Sequence, residues 1–485
     1  MSVSKEKNRR KMIKTKNNLT EGSILKSLIA LSIPIIFVNL LQTAYQLTDT
    51  FWVGRLGTEA VAAVSISFPI IFLIISLGGG LAMAGTILVA QYKGRENKKA
   101  VDHIASQTIL AVVLISIVLA TIGYALSPFL IHLMNVETAV FSSAVLYMKI
   151  SFIGMVFMFT YMVFQSLMRG VGDVKTPVYI VLGTVLLNLI LDPLFIFGYG
   201  FIPAFGVAGA AIASIGTQGL AAIIGIALLL KGKHKIQLHL SDLRPDWILI
   251  KKMFKIGFPA SIEQSARALG MTVMTFLVAS FGTLTLAAYG IGSRILSFVL
   301  IPAMGLSMAT STLVGQNIGA GKIERAEKVT KLSASIGFII LTIIGIIMFL
   351  FAKQISTIFI PGEIETIQSS ALFIKIMALS FGFIGIEMSL NGLFRGSGNT
   401  MISMVLSIVS LWVLRFPLAY ILSQHTVLAE LGLWIAFPVT NVLAAIISMV
   451  WFMKGTWKQK QITEEIKLTE KTTKETVIEE GLNSL

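Results

Sequence analysis

Residues 34–94 recur without a gap at residues 259–319, and both stretches are long apolar runs. Pro34 meets Pro259, Gly57-Thr58 meets Gly282-Thr283, and Ala62-Ala63 meets Ala287-Ala288. Gly80-Leu81-x-Met83-Ala84 meets Gly305-Leu306-x-Met308-Ala309, and Gln91-x-x-Gly94 meets Gln316-x-x-Gly319. A duplication of this kind restricts the fold to two copies of one helical bundle. In membranes such repeats place a binding site between halves that rock against each other.

Composition settles the solvent. Of the 485 residues 55% are hydrophobic and 13% charged, with a mean hydropathy of +0.84. A soluble domain carries about 25% charged residues, so the chain is an integral membrane protein. About 20 apolar residues cross a bilayer as a helix, and twelve such stretches lie between residues 28 and 454. The expected organisation is a basic cytoplasmic N-terminus (1–27), a six-helix bundle (28–231), a cytoplasmic linker (232–252), a second six-helix bundle (253–454) and a disordered cytoplasmic tail (455–485). Six is even, so both bundles enter the membrane in the same sense. A pseudo-two-fold axis along the membrane normal relates them, as two parallel bundles of an all-α membrane fold.

Basic residues orient the chain. Lys7, Arg9 and Arg10 precede span 1, Lys93 and Lys98 follow span 2, and Lys231 and Lys251 lie between spans 6 and 7. Lys322 and Lys328 follow span 8, and the alternate loops hold few bases. The positive-inside rule places both termini in the cytoplasm of a multi-pass cell-membrane protein. The net charge of +15 thus follows from topology, and no nucleic-acid partner is implied. With no cysteine there is no disulfide and no thiolate metal site. The five histidines form no HExxH, and Gly319-Ala320-Gly321-Lys322 lacks the spacing of a nucleotide-binding loop.

The charges within the spans carry the functional reading, because each is costly there. They are Asp49 in span 1, Asp192 in span 5, Glu263 and Arg267 in span 7, Arg294 in span 8, Glu387 in span 10 and Arg415 in span 11. Glu263 and Arg267 are four apart on one helix face and can pair. Arg294 and Arg415 can partner other groups, Glu387 included, so the C-terminal half reads first as structural ion pairing. Asp49 and Asp192 have no such base. Two close carboxylates in a low-dielectric place cannot both carry charge cheaply. The arrangement settles when a cation joins them or a proton neutralises one. Asn188 lies one turn before Asp192 on the same face and can give a carbonyl oxygen to Na⁺, a hard ion that prefers oxygen. Gln42, Tyr45 and Asp49 form one polar stripe on span 1. With Thr48 and Tyr161, Gln42 and Tyr45 are candidates for the cavity wall. Pro34 lies in span 1 below Asp49, where a missing backbone bond favours a kink and a moving part.

These residues resemble a family. Pro34…Gln42-x-x-Tyr45-x-x-x-Asp49-x-x-Trp52-Val53-Gly54-x-x-Gly57 is similar to span 1 of the multidrug and toxic compound extrusion (MATE) transporters. So are Gln91-x-x-Gly94, the echoed loops Arg169-Gly170-x-Gly172-Asp173 and Arg395-Gly396-x-Gly398-Asn399, and Asn188-x-x-x-Asp192-Pro193. Gly206-x-x-Gly209-Ala210-Ala211-x-Ala213-Ser214 completes the likeness, which covers about residues 28–454. Within the family the acids look most like the prokaryotic branch related to the DNA-damage-inducible type.

The resemblance implies a V of two bundles that alternates between inward- and outward-open forms. It implies export of amphipathic, often cationic, small molecules, with H⁺ or Na⁺ as the coupling ion and no other cofactor. Carried over by position, the cation site is Asp49, Asn188, Asp192, the Ala210 carbonyl and the Ser214 hydroxyl, where the family usually has threonine. Glu263 and Glu387 align with acids used by another branch, as a second site or as ion pairs with Arg267. The chain is expected to act as a monomer in the lipid bilayer and not as an enzyme. One alternative, a lipid-linked oligosaccharide flippase, is supported by Arg267, Arg294 and Arg415; another, an intramembrane enzyme or sensor, has no catalytic signature behind it.

Overall fold

The computed structural model of the chain describes residues 19–233 and 235–459. The basic run at residues 1–18, His234 and residues 460–485 lie outside the described residues.

Twelve membrane helices follow one another. The first half holds α1 (Ile24–Gly54), α2 (Thr58–Gly94), α3 (Lys98–Leu133), α4 (Thr138–Gly170), α5 (Lys175–Phe197) and α6 (Val207–Leu230). The second holds α7 (Trp247–Ala279), α8 (Thr283–Gly319), α9 (Ile323–Leu350), α10, α11 (Thr400–Gln424) and α12 (Glu430–Met453). α10 is broken into α10a (Ile364–Ala378) and α10b (Phe381–Gly396), bent by 52° at the break. α11 contains a π-helical turn, Val409–Arg415. Ten helices are long and apolar enough to cross a membrane, and α10 taken whole is an eleventh. α7 is the twelfth. It has 33 residues but carries Glu263, Gln264 and Arg267 mid-helix, and it enters the bundle by burying Glu263 rather than by being apolar.

The helices run past the apolar stretches because their ends are capped at the membrane surface. Asn97 Oδ1 accepts from the Ala100 amide at 3.0 Å, and Asp246 Oδ1 accepts from Ile248 and Leu249 at 3.1 Å. Gly57 and Gly282 precede α2 and α8 with φ of 110° and 100°, which side chains resist. The repeated Gly-Thr pair is thus a repeated turn.

Each half has the same packing scheme. α4 packs on α2, α3 and α6, and α5 lies between α1 and α6; α10 packs on α8, α9 and α12, and α11 lies between α7 and α12. Across the molecule, α2 meets α7 and α8, and α8 meets α1. At the α2–α7 crossing a Cβ on Gly80 would overlap the Gly257 carbonyl, and Ser261 Oγ donates to the Leu77 carbonyl at 2.7 Å.

The halves are sealed together at the end that carries the basic loops. A Cβ on Gly94 would overlap the Gln316 carbonyl, and one on Gly319 would overlap the Gln91 carbonyl. Gln91 Nε2 donates to the Gly396 carbonyl at 3.0 Å, and Gln316 Nε2 donates to the Gly170 carbonyl at 2.8 Å. Each glutamine thus reaches the Arg-Gly loop of the other half. The segment before α1 lies over this seam. The Leu19 carbonyl accepts from Asn317, the Thr20 carbonyl from Lys322 and the Glu21 carbonyl from Arg325, at 3.3, 3.1 and 3.0 Å.

The linker before α7 is held to α3: Gln107 donates to the Asp242 and Arg244 carbonyls at 2.6 and 2.7 Å and accepts from the Asp246 amide. The tail expected from residue 455 begins as packed structure. Trp457 is fully buried, stacks on Phe452, and is followed by Lys458, which pairs with Glu327 at 2.6 Å.

Candidate functional site

Away from the seal, α1, α5 and α6 bring the acids of the first half together. Pro193 follows Asp192 within α5, and α1 runs unbroken through Pro34 to Gly54. α1 stays helical through Pro34, the position at which a kink is expected. Asn188 and Asp192 are both fully buried, and Asn188 Nδ2 donates to Asp192 Oδ1 at 2.7 Å. The Asp49 carboxylate, on α1, is near enough to act on Asp192 through its charge. Tyr45, one turn before Asp49, shares a 3.1 Å hydrogen bond with Thr217 of α6. Thr217 also donates to the Ala213 and Ser214 carbonyls of its own helix. Ala210 is fully buried with Val53, Ala60 and Ile196, where α1, α2, α5 and α6 converge.

Three oxygens at this point have no hydrogen-bond partner: Asp49 Oδ1, Asn188 Oδ1 and Asp192 Oδ2. Buried polar atoms are rarely left so. Three hard oxygens, two of them carboxylate, form the donor set that H⁺ or Na⁺ would complete. No lysine or arginine forms an ion pair with either acid among the described residues.

The second half is arranged differently. Glu263, fully buried, accepts from Arg395 at 2.6 Å, from Ser403 and Ser407 at 3.0 Å, and from Arg267 at 3.4 Å. Arg267 also donates to Ser407 at 2.7 Å and lies 3.8 Å from Glu387. Glu263 is thus saturated. Arg395 is the partner that the spacing of Glu263 and Arg267 did not reveal; the hint was its place in a duplicated Arg-Gly loop. Glu387 pairs with Arg267, not with Arg294 or Arg415. Arg294 is exposed on α8.

Of the expected cavity wall, Tyr45 and Thr48 are half-buried and Gln42 is exposed. Tyr161 stands apart. It is in the core of the first half, stacked on Phe164, with its hydroxyl donating to the Pro177 carbonyl at 3.4 Å. It joins α4 to α5. Thr217, one turn beyond Ser214, is a residue that sequence reasoning missed: it shares a hydrogen bond with the Tyr45 hydroxyl.

A duplicated bundle sealed at one end, with unpartnered acids inside one half, defines a membrane transporter. The chain matches the MatE family twice, over residues 34–194 and 259–421, and it belongs to the MATE transporter family. It is 30% identical to "Probable multidrug resistance protein YoeA" of Bacillus subtilis over 92% of this chain and 97% of that one. It is 30% identical to "Probable multidrug resistance protein NorM" of Thermotoga maritima over 90% of this chain and 94% of that one. A solved structure described as the outward-facing conformation of a multidrug resistance MATE family transporter has a TM-score of 0.85. It is 25% identical, and the match covers 91% of this chain and 98% of that one.

Proposed function

We propose that this transporter is a cation-coupled antiporter that exports amphipathic, often cationic, compounds across the cell membrane by alternating access. H⁺ or Na⁺ enters at Asp49, Asn188 and Asp192 as the compound leaves. Both termini are cytoplasmic, and the protein works as a monomer. The observation that supports this most is the set of three buried, unpartnered oxygens from two helices. An occupied site brings α1 and α5 together; an empty one leaves two like charges that push α1 away. In this reading the Ala210 carbonyl and the Ser214 hydroxyl complete the shell. The seal at the basic end and the multidrug resistance relatives support export.

Counterflow in proteoliposomes, with Na⁺ and pH gradients imposed separately, tests this reading. Asp49→Asn is expected to lower gradient-driven dye export at least about hundredfold, since it removes the charge that the ion must meet. Export by Asp49→Asn close to that of the unmodified protein would sink the mechanism.

A further inference from the structure

One charge of the second half is used neither by the ion-pair cluster nor by the coupling site. Arg415 on α11 donates through Nε to Thr440 Oγ1 at 3.1 Å and through Nη2 to Asn441 Oδ1 at 2.6 Å. Its guanidinium lies 5.0 Å from the centre of the Phe437 ring. Among the described residues no carboxylate comes within 4.0 Å of it, the limit for an ion pair. Glu263 and Glu387 are already engaged by Arg395 and Arg267. Arginine stays ionised and carries five N–H donors, of which neutral acceptors take two here. Such a charge inside a membrane calls for an anion.

The direction of the side chain is set by its partners. Thr440 and Asn441 are buried, while Arg415 keeps accessible surface. The exposed face of α11 carries Val413, Tyr420 and Ile421. The guanidinium therefore turns towards α12, where Thr440, Asn441 and Phe437 surround it.

The repeat sharpens this. α6 and α12 are both 24 residues long, and Thr217 and Thr440 hold the same position in each. Thr217 meets Tyr45 beside the two acids, and Thr440 meets Arg415. Asp192 stands one residue before Pro193, and Arg415 stands two before Pro417. The π-helical turn that ends at Arg415 adds a residue to its turn of helix, a device frequent at functional sites. The threonine at the same position of α6 and α12 thus meets a tyrosine of α1 in one half and an arginine of α11 in the other.

We infer that the second half binds the anionic group, a carboxylate or phosphate, of an amphipathic organic solute. Arg415 supplies the planar fork, and Thr440 and Asn441 position it. The inference rests on the antiporter reading only in taking the interior of this half as part of the transport path.

The test is an equilibrium titration of the full-length protein in nanodiscs of zwitterionic lipid, read by fluorescence anisotropy. Carboxyfluorescein is the anionic probe and rhodamine 6G the cationic one. Arg415→Gln is expected to weaken carboxyfluorescein about tenfold or more while rhodamine 6G stays within about twofold, which also shows that the variant is folded. Arg415→Lys should fall between, since it keeps the charge and loses the fork. Repeating the titration in phosphatidylglycerol nanodiscs separates the sources. Competition assigns the subsite to a lipid headgroup phosphate, and unchanged binding to a soluble anion; either supports an anion subsite. The inference is overturned if the unmodified protein does not bind carboxyfluorescein, if Arg415→Gln binds it unchanged, or if both probes weaken equally. Failure of ion coupling would show in gradient-driven transport and leave these titrations untouched.

Discussion

Glu263 and Asp192 are both fully buried carboxylates on membrane helices, in halves built to one plan. Glu263 has four donors from three helices. Asp192 has one, and its second oxygen has none. The difference separates a strut from a switch. A saturated acid holds helices together and has no reason to exchange its partners. An undersaturated one is unstable until something small and positive arrives, and so can report that arrival. Identical burial therefore says little about role; the count of donors says much more.

The largest test of the contrast compares two neutral substitutions in thermal unfolding. Glu263→Gln is expected to destabilise the protein by about 3–5 kcal/mol, because Arg395 and Arg267 are left without their shared acid. Asp192→Asn is expected to unfold at the same temperature or higher, because it removes one of two like charges, and to lose ion coupling. Equal losses of stability would erase the distinction. Next in size is Gly319→Ala, which places a methyl group against the Gln91 carbonyl and should cost the sealed form about 1–3 kcal/mol. The chain has no cysteine, so Ala90→Cys can serve as the only thiol. Maleimide labelling at Ala90→Cys from the basic side should speed up when Gly319→Ala is added. The smallest effect belongs to the seal hydrogen bonds. Gln91→Ala and Gln316→Ala should each shift the same labelling rate by about 0.5–1.5 kcal/mol in free-energy terms. The two effects should match in size, since the bonds are related by the repeat; a large imbalance would mean that the halves do not close symmetrically.

Much of this was legible in the sequence, and for different reasons. Eleven spans follow from apolar length and α7 from its place in the repeat, and the bundle duplication follows from the aligned glycines and prolines. Asp49, Asn188 and Asp192 stood out because charge in a membrane is rare and their spacing puts Asn188 and Asp192 on one face. Partners across helices were not legible. Nothing local ties Arg395 to Glu263 or Thr217 to Tyr45, since each contact depends on how helices far apart in the chain dock. Tyr161 shows the same limit: its depth along α4 was readable, but not the α5 carbonyl that accepts from its hydroxyl. The break in α10 and the π-helical turn in α11 were hidden too, because both lie within stretches of continuous apolar character.

The reciprocal reach of Gln91 and Gln316 has a consequence for ancestry and for engineering. Each copy supplies both the hand and the hold: a glutamine at one helix end and an Arg-Gly loop at another. Two identical first halves, expressed as separate chains, would still find in each other everything this closure needs. Such a homodimer would shut at the same end yet carry four interior acids and no arginine fork. It would isolate, in one molecule, what the parental gene could do before its copies diverged.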